Sequence, residues 1–166
     1  MINAAIVGMG RWGQTLVNSV AGSSDVITFV AGNTRTPSKV VDYAAEKGIK
    51  LHSSYEDVLA DDNVDALVLA SPHSVHFDQI MAAADAVKHV FCEKPFCLNA
   101  ADARTALDAL ASKGLKVAIG HNRRFSPNAI KLKEMIDAYR EHGASWEMLE
   151  AQRDMMRHEI SASLRM

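Results

Sequence analysis

Cysteine, long apolar runs and any surplus of charge are all scarce in this sequence, and each shortage removes a class of protein. There are two cysteines, Cys92 and Cys97, in 166 residues. That is too few for a disulfide framework, and the CxxxxC spacing fits no common zinc pattern. No segment approaches the roughly 18–20 uninterrupted apolar residues that span a bilayer. The opening Met-Ile-Asn-Ala-Ala-Ile-Val-Gly has no basic segment and no cleavage site of a secretory leader. Lysine and arginine number 18 against 20 aspartate and glutamate, a formal net charge of −2, so neither nucleic acid nor an anionic membrane has an electrostatic footing. Repeats and low-complexity tracts are also absent. A reduced, cytoplasmic protein with no nucleic-acid or membrane partner is expected.

What is present is an ordinary globular composition, 48% hydrophobic and 23% charged, in a chain long enough for one domain and little more. Short β-rich apolar runs alternate with helical stretches. Strands are expected over 4–7, 26–31, 66–70, 89–92 and 116–120, the third of these (ALVLA) being a continuous apolar run as in a strand buried on both faces. Helices are expected over 11–20, with Trp12, Leu16 and Val20 on one face. A second runs from Pro37 to Gly48, a short one over 55–60 is capped by Ser53 or Ser54, and another spans 75–86. Residues 100–112 follow behind an Asn99 cap, and a last helix spans 128–142. This alternation predicts an α/β fold, a doubly wound parallel sheet of the NAD(P)-binding Rossmann kind over residues 1–125, with a short C-terminal extension over 126–166.

The first strand runs into Gly8-Met9-Gly10-Arg11-Trp12-Gly13, a GxGxxG pattern at a strand-to-helix junction. Gly8 permits the tight turn, Gly10 removes a side chain where a pyrophosphate must approach the backbone, and Gly13 lets helix and strand pack closely. The helix terminus offers unpaired N–H groups and about half a positive charge to the phosphates, so Met9, Arg11 and Trp12 join the three glycines as candidate cofactor contacts. Alone the pattern also serves plain turns; its place inside a βαβ unit is what points to a dinucleotide.

An NAD-selective site sets Asp or Glu at the end of the second strand. Here that end reads Ala31-Gly32-Asn33-Thr34-Arg35, without a carboxylate, and Asp25 sits at the wrong end of the strand. Arg35 offers a guanidinium to a 2′-phosphate, with Asn33 and Thr34 as hydrogen-bonding neighbours. NADP is therefore expected over NAD, the competing reading being that Arg35 is a solvated loop arginine.

Three later stretches follow strands: Ser71-Pro72-His73-Ser74-Val75-His76, then His89-Val90-Phe91-Cys92-Glu93-Lys94-Pro95, then His121-Asn122-Arg123-Arg124-Phe125-Ser126-Pro127. With the glycine loop, in this order, they resemble the Gfo/Idh/MocA (glucose-fructose oxidoreductase/inositol dehydrogenase) family over about residues 2 to 137. The resemblance implies hydride transfer between a nicotinamide cofactor and a sugar, polyol or related alcohol. It implies that Ser71 and Pro72, with His73, border the cofactor path, that His76 begins the next helix near the cofactor, and that Glu93 contacts the nicotinamide ribose. Lys94 would be the catalytic residue beside the reacting carbon, Pro95 would follow a cis peptide, and Arg123 or Arg124 would close the cofactor side of the cleft near Asn122. From spacing alone, Lys94 is as readily a surface lysine paired with Glu93.

The histidines and cysteines raise the question of a metal, but no third ligand stands at a standard zinc spacing, and no metal site is expected. The eight methionines read as core and interface filler. In the family a second, mainly antiparallel domain follows and carries a catalytic histidine. Here residues 145–160 fit either a strand or a helix with Trp146, Leu149, Arg153, Met156 and Ile160 near one face. Cofactor binding with weak or absent turnover is therefore expected, as is a homo-oligomer, taken as a dimer. The alternatives are a non-catalytic dinucleotide-binding or sensing module and an interaction protein that has lost the cofactor.

Overall fold

The computed structural model describes residues 1–142, 150–151 and 153–155. The chain divides into two compact units, one spanning Met1–His121 and a second that begins at Asn122.

In the first unit the elements follow as β1 (Ile2–Val7), α1 (Arg11–Val20), β2 (Ile27–Asn33), α2 (Val41–Glu46), β3 (Lys50–Leu51) and α3 (Tyr55–Leu59). Then come β4 (Ala66–Leu69), α4 (His76–Asp85), β5 (His89–Glu93), α5 (Ala100–Ser112) and β6 (Val117–Gly120). The six strands form one sheet in the order β3-β2-β1-β4-β5-β6, and every neighbouring pair is parallel. The expected doubly wound α/β sheet is the one observed. From β1 the chain builds outward to β3, then crosses back and builds outward from β1's other side. The strand order reverses between β1 and β4, and the carboxyl edge of the sheet at such a reversal is where folds of this kind bind ligands.

Alternation along β1 shows how the sheet is held. Ala5 and Val7 belong to a core with Leu67, Leu69, Ile80, Val90 and Leu110. Ala4 and Ile6 face a second core with Met9, Val17, Phe29, Val40 and Ala44. Successive side chains of a strand point to opposite faces, so a run with no polar residue is what a strand covered by helices on both sides requires. Each fully buried Val, Leu or Ile contributes about 1.5–3 kcal/mol.

The structure adjusts several boundaries. Two residues, Lys50 and Leu51, form β3 by pairing with Ala31 and Gly32; a two-residue strand carries no readable period, and the sequence pattern showed none there. The helix expected from Pro37 is a 3-10 turn, Pro37–Lys39, broken at Val40 before α2 begins. The buried residues of α1 are Gly13 and Val17, while Trp12 is exposed, because the close approach at Gly13 turns that side of the helix to the sheet. Ser54 is the cap of α3. Its Oγ accepts from the Asp57 N–H at 3.0 Å, and the Asp57 carboxylate accepts from the Ser54 N–H at 3.1 Å, a reciprocal capping box. Asn99 caps α5 as expected, accepting from the Asp102 N–H at 2.9 Å.

The second unit opens with a 3-10 turn, Asn122–Phe125, followed by α6 (Pro127–His142). Of the stretch left open between strand and helix, the described residues 150–151 and 153–155 are helical; Trp146, Leu149, Met156 and Ile160 lie outside the described residues. Among the described residues no helix is long and apolar enough to cross a membrane.

Candidate functional site

The glycine turn is built by close contacts. Gly8 has φ +95°, a conformation that side chains rarely tolerate, and a Cβ there would lie 2.6 Å from the Ala70 carbonyl oxygen and 2.8 Å from the Ser71 nitrogen. Its N–H donates to the Asn33 carbonyl at 2.8 Å. This turn therefore touches the ends of both β2 and β4. A Cβ on Gly13 would collide with the Gly8 carbonyl oxygen, which ties the start of α1 to the same turn. Gly10 differs: nothing lies within 4 Å of where its Cβ would be. No side chain caps the α1 terminus and its first turn holds no acidic residue. Met9 buries its side chain in the core, leaving its backbone in the turn, where its carbonyl accepts from Gln14 Nε2 at 3.1 Å. Arg11 and Trp12 are exposed. An uncapped helix terminus beside side-chain-free space fits a diphosphate.

At the end of β2, Asn33 Nδ2 donates to the His52 carbonyl at 3.2 Å, which fixes that amide against the exit of β3. Thr34 is half-buried and Arg35 exposed. Among the described residues Arg35 has no ion-pair partner.

Beyond β4, Ser71 Oγ donates to Gln79 Oε1 at 2.5 Å, and the Gln79 carbonyl accepts from the Tyr55 hydroxyl at 2.8 Å. Burial pushes the Tyr55 phenol well above its ordinary value, so it stays a neutral donor. Pro72 and His73 are exposed, and His76 is buried. The His76 ring lies with Nδ1 2.8 Å from the Pro95 carbonyl oxygen and Nε2 3.1 Å from the Ser71 carbonyl oxygen. His76 does begin α4, but its nitrogens face protein carbonyls.

Beyond β5, Glu93 is buried and Lys94 exposed. The peptide joining Lys94 to Pro95 is cis. Glu93 pairs across the ladder with Gly120, and a Cβ on Gly120 would collide with the Glu93 carboxylate. The carboxylate thus occupies space that a larger residue would take, and among the described residues no donor meets it and no ion pair joins it to Lys94. Cys92, next to it, is a buried free thiol pushed up to about 12 by burial; it is packing, not a nucleophile. Gly120, Gln79, Tyr55 and Gln14 were not singled out from sequence. Gly120 left one trace, a glycine closing an apolar strand, which often marks a close approach.

The expected residues around the turn, the β2 end and the loops after β4 and β5 therefore share one edge of the first unit. Asn122 and Arg123 are exposed in the turn that opens the second unit. No three His, Cys, Asp or Glu side chains among the described residues are grouped as a metal would need.

A parallel sheet with this order, a glycine turn at its reversal point and an acid–lysine–proline step after β5 define a dinucleotide-binding α/β domain. The chain belongs to the Gfo/Idh/MocA oxidoreductase family with an NAD-binding Rossmann fold, whose profile matches residues 2–121. It is 34% identical to the inositol 2-dehydrogenase of Salmonella typhimurium over 144 residues, covering 82% of this chain and 42% of that one. It is 40% identical to the D-xylose 1-dehydrogenase (NADP(+)) of Hypocrea jecorina over 89 residues, covering 54% of this chain and 23% of that one. Among solved structures, the scyllo-inositol dehydrogenase of Lactobacillus casei with bound NAD(H) and scyllo-inositol superposes with a TM-score of 0.77 at 27% identity. That match covers 84% of this chain and 42% of the other. The chain spans about 40% of the length of the curated relatives it matches.

Proposed function

We propose that this chain binds NADP(H) in preference to NAD(H) along the carboxyl edge of its sheet, and that Lys94 serves oxidoreduction at a carbinol carbon of a sugar or polyol. The observation that carries the reading is the empty approach at Gly10 beside an uncapped helix terminus, at the reversal between β1 and β4. In this reading the amides from Met9 to Gly13 hold the pyrophosphate, Asn33, Thr34 and Arg35 face the adenosine ribose, and Ser71, Pro72 and His73 border the path toward Glu93. When bound, the nicotinamide supplies the hydride acceptor or donor. Lys94 Nζ, an ammonium, donates a hydrogen bond to the reacting oxygen, which orients it and eases departure of its hydroxyl proton to solvent in oxidation and the return of a proton from solvent in reduction. Glu93, with no donor on its carboxylate among the described residues, is available to a ribose hydroxyl.

Preference for the phosphorylated cofactor rests on the β2 end, which has no carboxylate to meet a ribose 2′-hydroxyl and has an exposed guanidinium, Arg35, to meet a 2′-phosphate. The Lactobacillus relative was crystallised with NAD(H) and the Hypocrea relative is named for NADP(+); Arg35 favours the second. Both relatives act on polyhydroxy compounds, which supports that substrate class. The test is titration of the purified chain with NADPH and NADH at low salt. NADPH should bind more tightly, and Arg35→Ala should weaken NADPH about tenfold, the size of one lost charge-assisted hydrogen bond, while leaving NADH unchanged. Tighter NADH binding by the unaltered chain sinks the preference. Cofactor binding without turnover on any polyol would instead describe a binding or sensing module.

A further inference from the structure

Two polar side chains are buried in the core among the described residues, His76 and Glu93, and His76 is fully enclosed. A buried imidazole is tolerated when its nitrogens are hydrogen-bonded. Here Nδ1 lies 2.8 Å from the Pro95 carbonyl oxygen and Nε2 3.1 Å from the Ser71 carbonyl oxygen. Cys92 Sγ sits 3.3 Å from both Nδ1 and the Glu93 carbonyl oxygen, a weak thiol contact beside the shorter one to Pro95. The His73 ring stands edge-on at 5.8 Å between centroids and offers no hydrogen bond. The partners that matter are thus two backbone acceptors in two different loops. A proton on Nδ1 ties the ring to the Pro95 carbonyl in the loop after β5, and one on Nε2 ties it to the Ser71 carbonyl in the loop after β4.

The two loops are not equally secured. Ser71 is held again through its hydroxyl by Gln79, and its nitrogen abuts Gly8, so the loop after β4 is the fixed side. Residues 94–98, which include Lys94, have no hydrogen bond among the described residues except the one from His76 to Pro95; Phe96 packs into the core and sets depth without fixing the backbone around Lys94. We propose that His76 is a positioning residue, a tie anchored at the start of α4 that sets the distance and orientation of the Glu93–Lys94 step relative to the glycine turn. This role deepens the dinucleotide reading above and rests on it.

The test separates the two halves of the cofactor. NADPH and 2′-phospho-ADP-ribose, and in parallel NADH and ADP-ribose, are titrated calorimetrically into the unaltered chain and into His76→Leu, His76→Asn and His76→Gln, with thermal melts of each. Asparagine places an amide near the Nδ1 position and can still reach Pro95; glutamine places one near Nε2 and can still reach Ser71. In His76→Gln the nicotinamide-lacking fragment should bind as before while the full dinucleotide loses about tenfold in affinity, the scale of one hydrogen bond lost with its acceptor left unpaired. In His76→Asn the dinucleotide-to-fragment ratio should stay close to that of the unaltered chain. His76→Leu should lose the ratio as glutamine does and melt earlier. A purely structural histidine would lower melting and weaken both ligands together, and equal ratios in all variants overturn the positioning role. If the unaltered chain binds neither pair, the cofactor reading itself falls, and this inference with it.

Discussion

Gly10 and Gly13 stand three positions apart in one motif, yet the protein uses their missing side chains differently. A Cβ at Gly13 meets the Gly8 carbonyl oxygen, whereas a Cβ at Gly10 meets nothing. Gly13→Ala must displace α1 from the turn, a misfit that costs about 1–3 kcal/mol, and should lower both the melting temperature and cofactor affinity. Gly10→Ala keeps an ordinary negative φ of −70°, so its melting temperature should hold within the small changes typical of surface substitutions, about 0.5 kcal/mol. Its NADPH affinity should nevertheless collapse, because the methyl would stand in the proposed path of the pyrophosphate. Thermal melts and calorimetry on both variants check this; a Gly10→Ala protein that binds normally would show that the open space is not the phosphate site. At this scale the sequence was legible where a role follows from local spacing, as in the tight turn at Gly8 and the close packing at Gly13. It was not legible at His76, whose partners lie 5, 16 and 19 positions away; only the fold brings them to one ring. Nor did it reveal Gly120, whose neighbour Glu93 is on another strand.

Elements announce themselves in proportion to their length. β1 and β4 were readable because their stretches covered on both faces, residues 4–7 and Ala66–Leu69, are apolar throughout, and α5 because Asn99 capped it. β3 was not, and it is secured by side chains as much as by pairing. Lys50 Nζ and His52 Nε2 reach the same Asp61 carboxylate oxygen, at 3.1 and 2.9 Å, tying both sides of the strand to the turn after α3. The Asn63 N–H and then Lys50 and His52 hold the Asp61 carboxyl down at about 2, below the value of about 3.9 for an unfolded chain. A carboxyl depressed in the folded state stabilises fully above its unfolded value, and that stability is lost as pH falls through the folded one. Asp61→Asn should therefore melt earlier than the parent at pH 7, and the gap should narrow between about pH 4 and pH 2. Because Lys50 is exposed, part of the gap should also shrink in high salt. A gap unchanged over that acid range would mean that the carboxylate's charge contributes nothing to holding β3.

Across the whole molecule, the sheet order decides where chemistry can occur. Every strand is parallel, so the loops after β1, β2, β4 and β5 emerge on one edge, and the reversal between β1 and β4 leaves them room. The proposed contacts from the glycine turn to Lys94 all lie within Met1–His121, and a ligand held by them should stabilise that unit by mass action. At a hundredfold excess over Kd the gain is about 2.7 kcal/mol, which for a chain of this size raises Tm by roughly 5–10 °C. The same linkage separates holding from reacting. Lys94→Met removes the ammonium but leaves the turn and the β2 end intact, so the NADPH-dependent rise in Tm should persist. Wherever NADPH-linked turnover of a sugar or polyol can be measured, it should fall about 10²–10⁴-fold, the share that a positioned acid–base group supplies. A variant that kept its turnover would return Lys94 to the status of a surface lysine, and one that lost the thermal shift would make it chiefly a binding residue.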